Sequence, residues 1–269
     1  MQSTYPPIFV ISLPGTDERR SYISEQLGKL GLPFSFFDAV NGYELDVLSH
    51  ENYNGKKRRL LFGKDLTQGE LGCFLSHKKI YQKICNDNLE SAVILEDDVI
   101  LHEDFPKILS TLSKHQDHFD LVRFLGSPKV MKRGGRKLIP LNDPYWLIRM
   151  PTAPGGAHAT LVTQNGAQKL LHSMQRTAYP IDTLLGRGWE TGVEALAVHP
   201  GLATQELSFA NTIGNDRFDK TLQLAGFERL AFPFTRGWFK ISEAIGKKWL
   251  YWSNIHQDQK VKTHYLHSA

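Results

Sequence analysis

Residues 92–101 read AVILEDDVIL, an apolar run closed by three consecutive carboxylates, Glu96, Asp97 and Asp98. Adjacent acids repel, and none is buried unpaired without a large desolvation cost or a raised pKa, so a positive partner belongs beside them. A hard divalent cation, Mg²⁺ or Mn²⁺, fits that description, because such ions take oxygen ligands and bridge substrate phosphates. The E-x-D spacing of Glu96 and Asp98 suits a shared cation, and strand alternation would turn Asp97 to the opposite side. The plainer alternative is a solvated turn.

Other chemistries that end a strand in acids fail on their companion motifs. A Walker B acid needs G-x-x-x-x-G-K-[ST], but the Gly-Lys pairs at 55–56, 63–64 and 246–247 are followed by Lys57, Asp65 and Lys248. A dinucleotide fold needs G-x-G-x-x-G after its first strand, where LPGTDE stands instead, and GRGWET (186–191) lacks the third glycine. There is no H-E-x-x-H and no Cys-rich zinc pattern. What remains is the use a nucleotide-sugar enzyme makes of a D-x-D-type motif, in which the cation bridges a diphosphate and neutralises charge on the leaving group.

The elements that must carry these acids alternate strand and helix. PPIFVISLPG predicts a buried strand, residues 18–30 a helix behind Thr16-Asp17, and PFSFFDAVNG a second strand ending in Asp38. GKKRR (55–59) falls in a predicted loop. Thr67 and Glu70 have capping-box spacing at the head of TQGELGCFLSHKKIYQKI, with an apolar face of Leu71, Phe74, Leu75, Ile80 and Ile84. AVILEDD is the third strand, 105–112 a short helix and DLVRFLG the fourth strand. Residues 127–144 read as a loop, WLIRM and HATLVT as strands, NGAQKLLHSMQR as a helix, and VEALAVHPGLATQ as a closing strand and loop. The order is that of an α/β fold with a mostly parallel sheet, in which ligands collect beyond the carboxyl ends of the strands. Ser12, Asp38 and Glu96-Asp97-Asp98 all stand at such ends.

The bulk properties exclude several classes. Of 269 residues, 41% are hydrophobic and 22% charged, as in ordinary globular proteins. No apolar run approaches the ~18–20 residues of a membrane span, and no basic segment followed by an apolar one opens the chain, which points to the cytoplasm. Cys73 and Cys85, the two cysteines, fall on one predicted helix, roughly 18 Å apart at the helical rise and beyond disulfide reach, which suits a reducing compartment. The net charge of +4 lies wholly in residues 233–269, with six basic and two acidic residues. The neutral remainder argues against a nucleic-acid partner.

VISLPGTDERR, FDAVNG, LTQGELGCFLSHKKIY and VILEDDVIL, in that order, resemble glycosyltransferase family 25, whose members include bacterial lipooligosaccharide galactosyl- and glucosyltransferases and collagen galactosyltransferases. The resemblance runs from about Ile8 to Glu206, with YPID (179–182) and HPGLATQE (199–206) as later blocks. It implies a GT-A-type fold, a UDP-hexose donor, a divalent metal and inversion at the anomeric carbon. By motif, Ser12, Leu13 and Arg19 would lie near the nucleotide, and Asp38 and Ala39 near uracil or ribose. Gly72 would allow close helix packing, while Ser76 and His77 would face the donor; a core or surface role is the alternative for His77. Asp98 would ligate the metal, Glu96 would contact it or the ribose beside Asp97, and His199 would be a further ligand.

An inverting transfer needs a base for the acceptor hydroxyl. Asp182, after a proline at a helix start and within a family block, is the candidate, with an N-cap role as its alternative and Glu190 and Glu194 as runners-up. The sequence departs from the family where a Gly-Thr-Ala-Gly-Tyr-like strand is expected: GGAHATLVT (155–163) has His158 and no tyrosine.

Trp238, Ile241, Ile245, Trp249 and Trp252 recur at three- and four-residue steps among Lys240, Lys247 and Lys248, a pattern for a helix lying in a membrane interface or packed on its own domain. The sequence thus predicts a GT-A-type domain over 1–232 and a basic, Trp-rich helical extension over 233–269. The expected reaction is metal-dependent transfer of galactose or glucose from a UDP-sugar to a saccharide acceptor, such as bacterial lipooligosaccharide, at the cytoplasmic face of a membrane. Its rivals are a non-catalytic nucleotide- or carbohydrate-binding protein and a metal-dependent sugar-nucleotide hydrolase.

Overall fold

The structure is a computed structural model and describes residues 5–125, 135–152, 155–209 and 221–267. Among them, an eight-stranded mixed sheet has the order β2-β1-β3-β8-β5-β9-β7-β6, from β1 (Ile8–Ser12), β2 (Ser35–Asp38), β3 (Ser91–Glu96), β5 (Leu121–Arg123), β6 (Arg136–Asn142), β7 (Tyr145–Arg149), β8 (Ala159–Thr163) and β9 (Ala195–His199). Only β7 and β8 run against the rest, so the expected α/β sheet with most strands aligned is what forms. A two-stranded antiparallel ribbon joins β4 (Val99–Leu101) to β10 (Ala203–Gln205).

Strand alternation explains why both faces are covered. Ile8, Val10, Val93 and Leu95 point into one core, with Ile23 and Leu27 of α1 (Asp17–Lys29) and Phe105, Ile108 and Leu112 of α4 (Phe105–Leu112). Phe9, Ile11, Ala92 and Ile94 point into the other, with Phe74, Ile80 and Ile84 of α3 (Gln68–Asn86), Ala167 and Leu170 of α5 (Gln164–Ser173) and Ile181 of α6 (Ile181–Leu185). β1 and β3 are buried on two sides, which is why they read as continuous apolar runs.

The capping box of α3 forms as expected: the Glu70 amide donates to Thr67 Oγ1 at 3.1 Å and the Thr67 amide donates to Glu70 Oε2 at 2.9 Å. Three expectations change. GKKRR is not loop but most of helix α2 (Gly55–Phe62), whose Asn54 cap accepts from the Lys57 amide and which stops at Gly63, φ +81°. The stretch read as loop over 127–144 contains β6, a bulged strand whose pattern is blurred by two register shifts; residues 127–134 of it lie outside the described residues. The expected boundary at 232/233 falls inside α8 (Gly226–Ser253), a helix that continues through Pro233. Pro233 is exposed, so water can satisfy the carbonyl that loses its partner.

The C-terminal helices are part of the same body. Phe239 of α8 enters the second core, and a Cβ on Gly246 would meet Trp189 of α7 (Gly188–Thr191) at 2.6 Å. In α9 (Ile255–His267), the buried Asp258 carboxylate accepts from Arg149 Nε at 2.8 Å and Nη2 at 2.9 Å and also pairs with Arg136.

Candidate active site

The site forms where β1, β2 and β3 end together. Their register aligns Ile11 with Glu96 and Ser12 with Asp38, so three loops leave the sheet at one edge. β3 stops at Glu96, and Asp97 and Asp98 form the turn into β4. Strand alternation therefore ends before Asp97, and Asp97 and Asp98 face the same cation, correcting the expectation that they diverge. That cation is Arg19 of α1: Nε donates to Asp97 Oδ1 at 2.8 Å, and Nη2 lies 2.5 Å from Asp97 Oδ1 and 2.9 Å from Asp98 Oδ2. Ser12 Oγ donates to Asp97 Oδ2 at 2.6 Å, so Asp97 is saturated by protein.

Asp98 is not. Gln205 Nε2 donates to its Oδ2 at 3.0 Å, while Oδ1 is buried with no hydrogen-bond partner among the described residues. Burial and then the charge on Glu96 push the Asp98 carboxyl up, against Gln205 and Arg19. Burial also opposes ionisation of Glu96, but His77 beside it and the charges of His158 and Arg19 hold it below the usual carboxylate range. An orphaned carboxylate oxygen beside a second ionised carboxylate is a donor set that fits a hard divalent cation.

Two cavities meet at these acids. The first is lined by Ser12, Leu13, Arg19, Ala39, Ser76, Asp97 and Asp98, among others. The second holds Glu70, His158, Asp182 and Thr183. Cys73, Glu96 and Gln205 line both.

Most of the expected donor residues therefore converge, by different means. Ser76 Oγ accepts from the Val40 amide at 2.9 Å and donates to the Gly72 carbonyl at 2.7 Å, tying α3 to the loop after β2. Gly72 permits that approach, since a Cβ there would stand 2.9 Å from the Gly42 backbone and the Val40 oxygen. Asp38 turns away: its side chain is 69% exposed and paired with Arg20 at 2.5 Å. His77 lines neither cavity. It is fully buried beneath the acids, Nε2 3.7 Å from Glu96 Oε1 and Nδ1 3.5 Å from the Tyr81 hydroxyl, so it supports Glu96 rather than facing the donor.

Asp182 sits in the first turn of α6, behind an N-cap that is Pro180, so the capping alternative fails. Its Oδ1 accepts from the Thr183 amide at 2.6 Å, while no hydrogen bond engages Oδ2 among the described residues. The runners-up are committed elsewhere. Glu190 is bound by Arg187 through two nitrogens, and Glu194 pairs with Arg149 and lines a separate cavity beside Asp120. His199 ends β9 opposite Trp146 and lines neither cavity of the site.

Residues without an assigned role also gather here. Cys73 and His77, one helical turn apart, bring their donor atoms within 4.8 Å of one another and of Glu96, and burial followed by the surrounding carboxylates raises the Cys73 thiol well above its usual value, keeping it protonated. Arg123 Nη1 and Nη2 each lie 3.3 Å from a carbonyl, of Gly156 and Asp182 respectively, joining the two loops of the second cavity. Burial pulls this guanidinium down to about 10 against the opposing charge of Asp182. The sequence signal for Arg123 is a lone charge inside the apolar strand DLVRFLG; Gln205 carries no such signal, because its place depends on the β4–β10 pairing.

The family model described as Glycosyltransferase family 25 (LPS biosynthesis protein) matches residues 5–185. The lipooligosaccharide biosynthesis protein lic2B of Haemophilus influenzae is 38% identical over 58% of this chain and 65% of its own. The lacto-N-neotetraose biosynthesis glycosyltransferase LgtE of Neisseria meningitidis is 25% identical over 77% of this chain and 76% of its own. Procollagen galactosyltransferase 1-B of Xenopus laevis is 29% identical over 63% of this chain, which spans only 28% of that protein's length. With the family match covering more than half of its length, and the motifs that carry it gathered at one edge of the sheet, this chain belongs to glycosyltransferase family 25.

Proposed function

We propose that the protein is a metal-dependent, inverting hexosyltransferase that moves galactose or glucose from UDP to a hydroxyl of a saccharide such as lipooligosaccharide. The observation that carries this reading is the junction of the two cavities at Glu96, with Asp98 on one side and Asp182 on the other. The lipooligosaccharide and galactosyltransferase names of the relatives support the acceptor class and the hexose.

A divalent cation would be held by Glu96 and Asp98 Oδ1 and would neutralise charge on the departing UDP. The protein's own parts do the rest. Arg19 fixes the Asp97-Asp98 turn, and Ser12, Leu13 and Ala39 line the space for the nucleotide. In the second cavity Asp182 takes the proton from the acceptor hydroxyl as its oxygen attacks the anomeric carbon, and the sugar–phosphate bond breaks with its electron pair leaving on UDP. The free Asp182 Oδ2 and the Arg123 link beneath its backbone suit that role.

Calorimetric titration of UDP with Mn²⁺, and again with EDTA, tests the metal, and donor consumption with and without a saccharide acceptor tests the transfer. Binding indifferent to metal would overturn the role of Glu96 and Asp98. Donor consumed equally fast without acceptor would make the protein a hydrolase.

A further inference from the structure

Eight large apolar side chains of α8, each between 53% and 79% exposed, form one unbroken stripe on the molecule. The structure adds Phe227, Leu230 and Phe234 to the five positions from Trp238 to Trp252, and the steps of three and four keep all eight within an arc of about 100°. Over 25 residues the stripe runs roughly 38 Å at the helical rise. Its direction is fixed, because the opposite face is anchored. Phe239 is buried, Gly246 packs on Trp189, Arg236 Nη1 donates to the Leu61 carbonyl at 2.9 Å, and Arg59 of α2 holds Glu228 at 2.8 Å.

Charge identifies the occupant. Arg229, Lys240 and Lys248 are exposed on α8, as are Lys56 and Lys57 on the helix it packs against. The two acids of α8 are engaged, Glu228 by Arg59 and Glu243 by Lys247. An exposed stripe of aromatic and aliphatic side chains, on a helix whose exposed charged side chains are all cationic, complements an anionic lipid surface. A second copy of the chain fits less well, since pairing the stripes would bring like charges together. No helix among the described residues is long and apolar enough to cross a membrane, so the helix lies on the surface.

We infer that α8 docks the protein on the headgroup layer of an anionic bilayer. α8 packs on α2, whose Lys57 lies over the Tyr179 ring just before Pro180 and Asp182. The docking itself does not rest on the donor chemistry.

The test is co-sedimentation of the full chain with vesicles of phosphatidylglycerol and phosphatidylcholine, against phosphatidylcholine alone, with tryptophan emission recorded. Expected is at least about tenfold tighter partition onto the anionic vesicles, weakened by salt, with a blue shift. The triple variant Trp238→Ser, Ile245→Ser, Trp249→Ser alters exposed side chains only, and circular dichroism and UDP titration check that it folds. It should lose at least tenfold in partition. No partition, equal partition of variant and wild type, or a dimer in sedimentation velocity that the triple variant dissociates would overturn the inference.

Discussion

Arg19 and Asp97, 78 residues apart in sequence, form a bidentate pair in which Nε and Nη2 of the guanidinium share one carboxylate oxygen while Nη2 also reaches Asp98. Both side chains are about nine-tenths buried. The partner that the acidic turn requires is thus supplied largely by the first helix, and among the described residues Asp98 Oδ1 keeps no hydrogen-bond partner.

Removing that guanidinium strands two buried acids. Arg19→Met should destabilise the fold by about 3–5 kcal/mol, read from the urea midpoint. Arg19→Lys should recover only part of this, because an ammonium cannot match the two-nitrogen fork. Equal stability of Arg19→Met and wild type would show that the pair contributes nothing.

Asp98→Asn should do the reverse. Burial and Glu96 both oppose the Asp98 charge, so its loss should change stability by less than about 1 kcal/mol, while Arg19 keeps Asp97. Metal-dependent UDP binding should fall at least about tenfold in titration calorimetry, the loss also expected of the wild type in EDTA. Retained Mn²⁺ dependence would remove Asp98 from the cation site.

Asp182→Asn should lower kcat by about 10²–10⁴ with little change in the UDP dissociation constant, because Asp182 does not line the first cavity. A variant with wild-type turnover, or one that loses UDP binding, would exclude it as the base.

Gly72→Ala drives a methyl group into the Gly42 backbone. The strain should cost about 1–3 kcal/mol in thermal or urea unfolding. Donor affinity should weaken too, since Ala39, Val40 and Gly42 line the first cavity.

Acid should loosen the C-terminal helix. The Tyr265 hydroxyl of α9 lies 3.2 Å from His115 Nδ1 and 2.9 Å from His118 Nε2. Burial, then the charges of His118 and Lys114, lower His115 from its ordinary value of 6.5. The unfolded chain then binds more protons than the folded one below about pH 6.5, so stability is full above that value and falls as the pH drops toward the lowered folded value. Melting temperature should decline between about pH 7 and 5.5 in the wild type and decline less in His115→Gln; identical profiles would exclude His115 as the cause.

How far the sequence alone reached follows from the range of the forces involved. Strands β1 and β3, the capped helix α3 and the acids at the end of β3 were legible because apolar periodicity, a Thr67–Glu70 cap and charge after an apolar run are local patterns. The family resemblance added the gathering of Ser12, Arg19, Ser76 and Glu96 at one edge. The sequence misread GKKRR as loop, because its basic side chains hide a short helix that is stabilised by packing on α8 and by its Asn54 cap. Only the tertiary structure decided the partners of the charges. It gave Asp97 to Arg19, Asp38 to Arg20, Glu190 to Arg187 and Glu194 to Arg149, and it left Asp98 Oδ1 and Asp182 Oδ2 without hydrogen-bond partners among the described residues. A carboxylate's role depends on which cation or donor lies within about 3–4 Å, and that distance is fixed by register, by helix packing and by the β4–β10 ribbon that delivers Gln205.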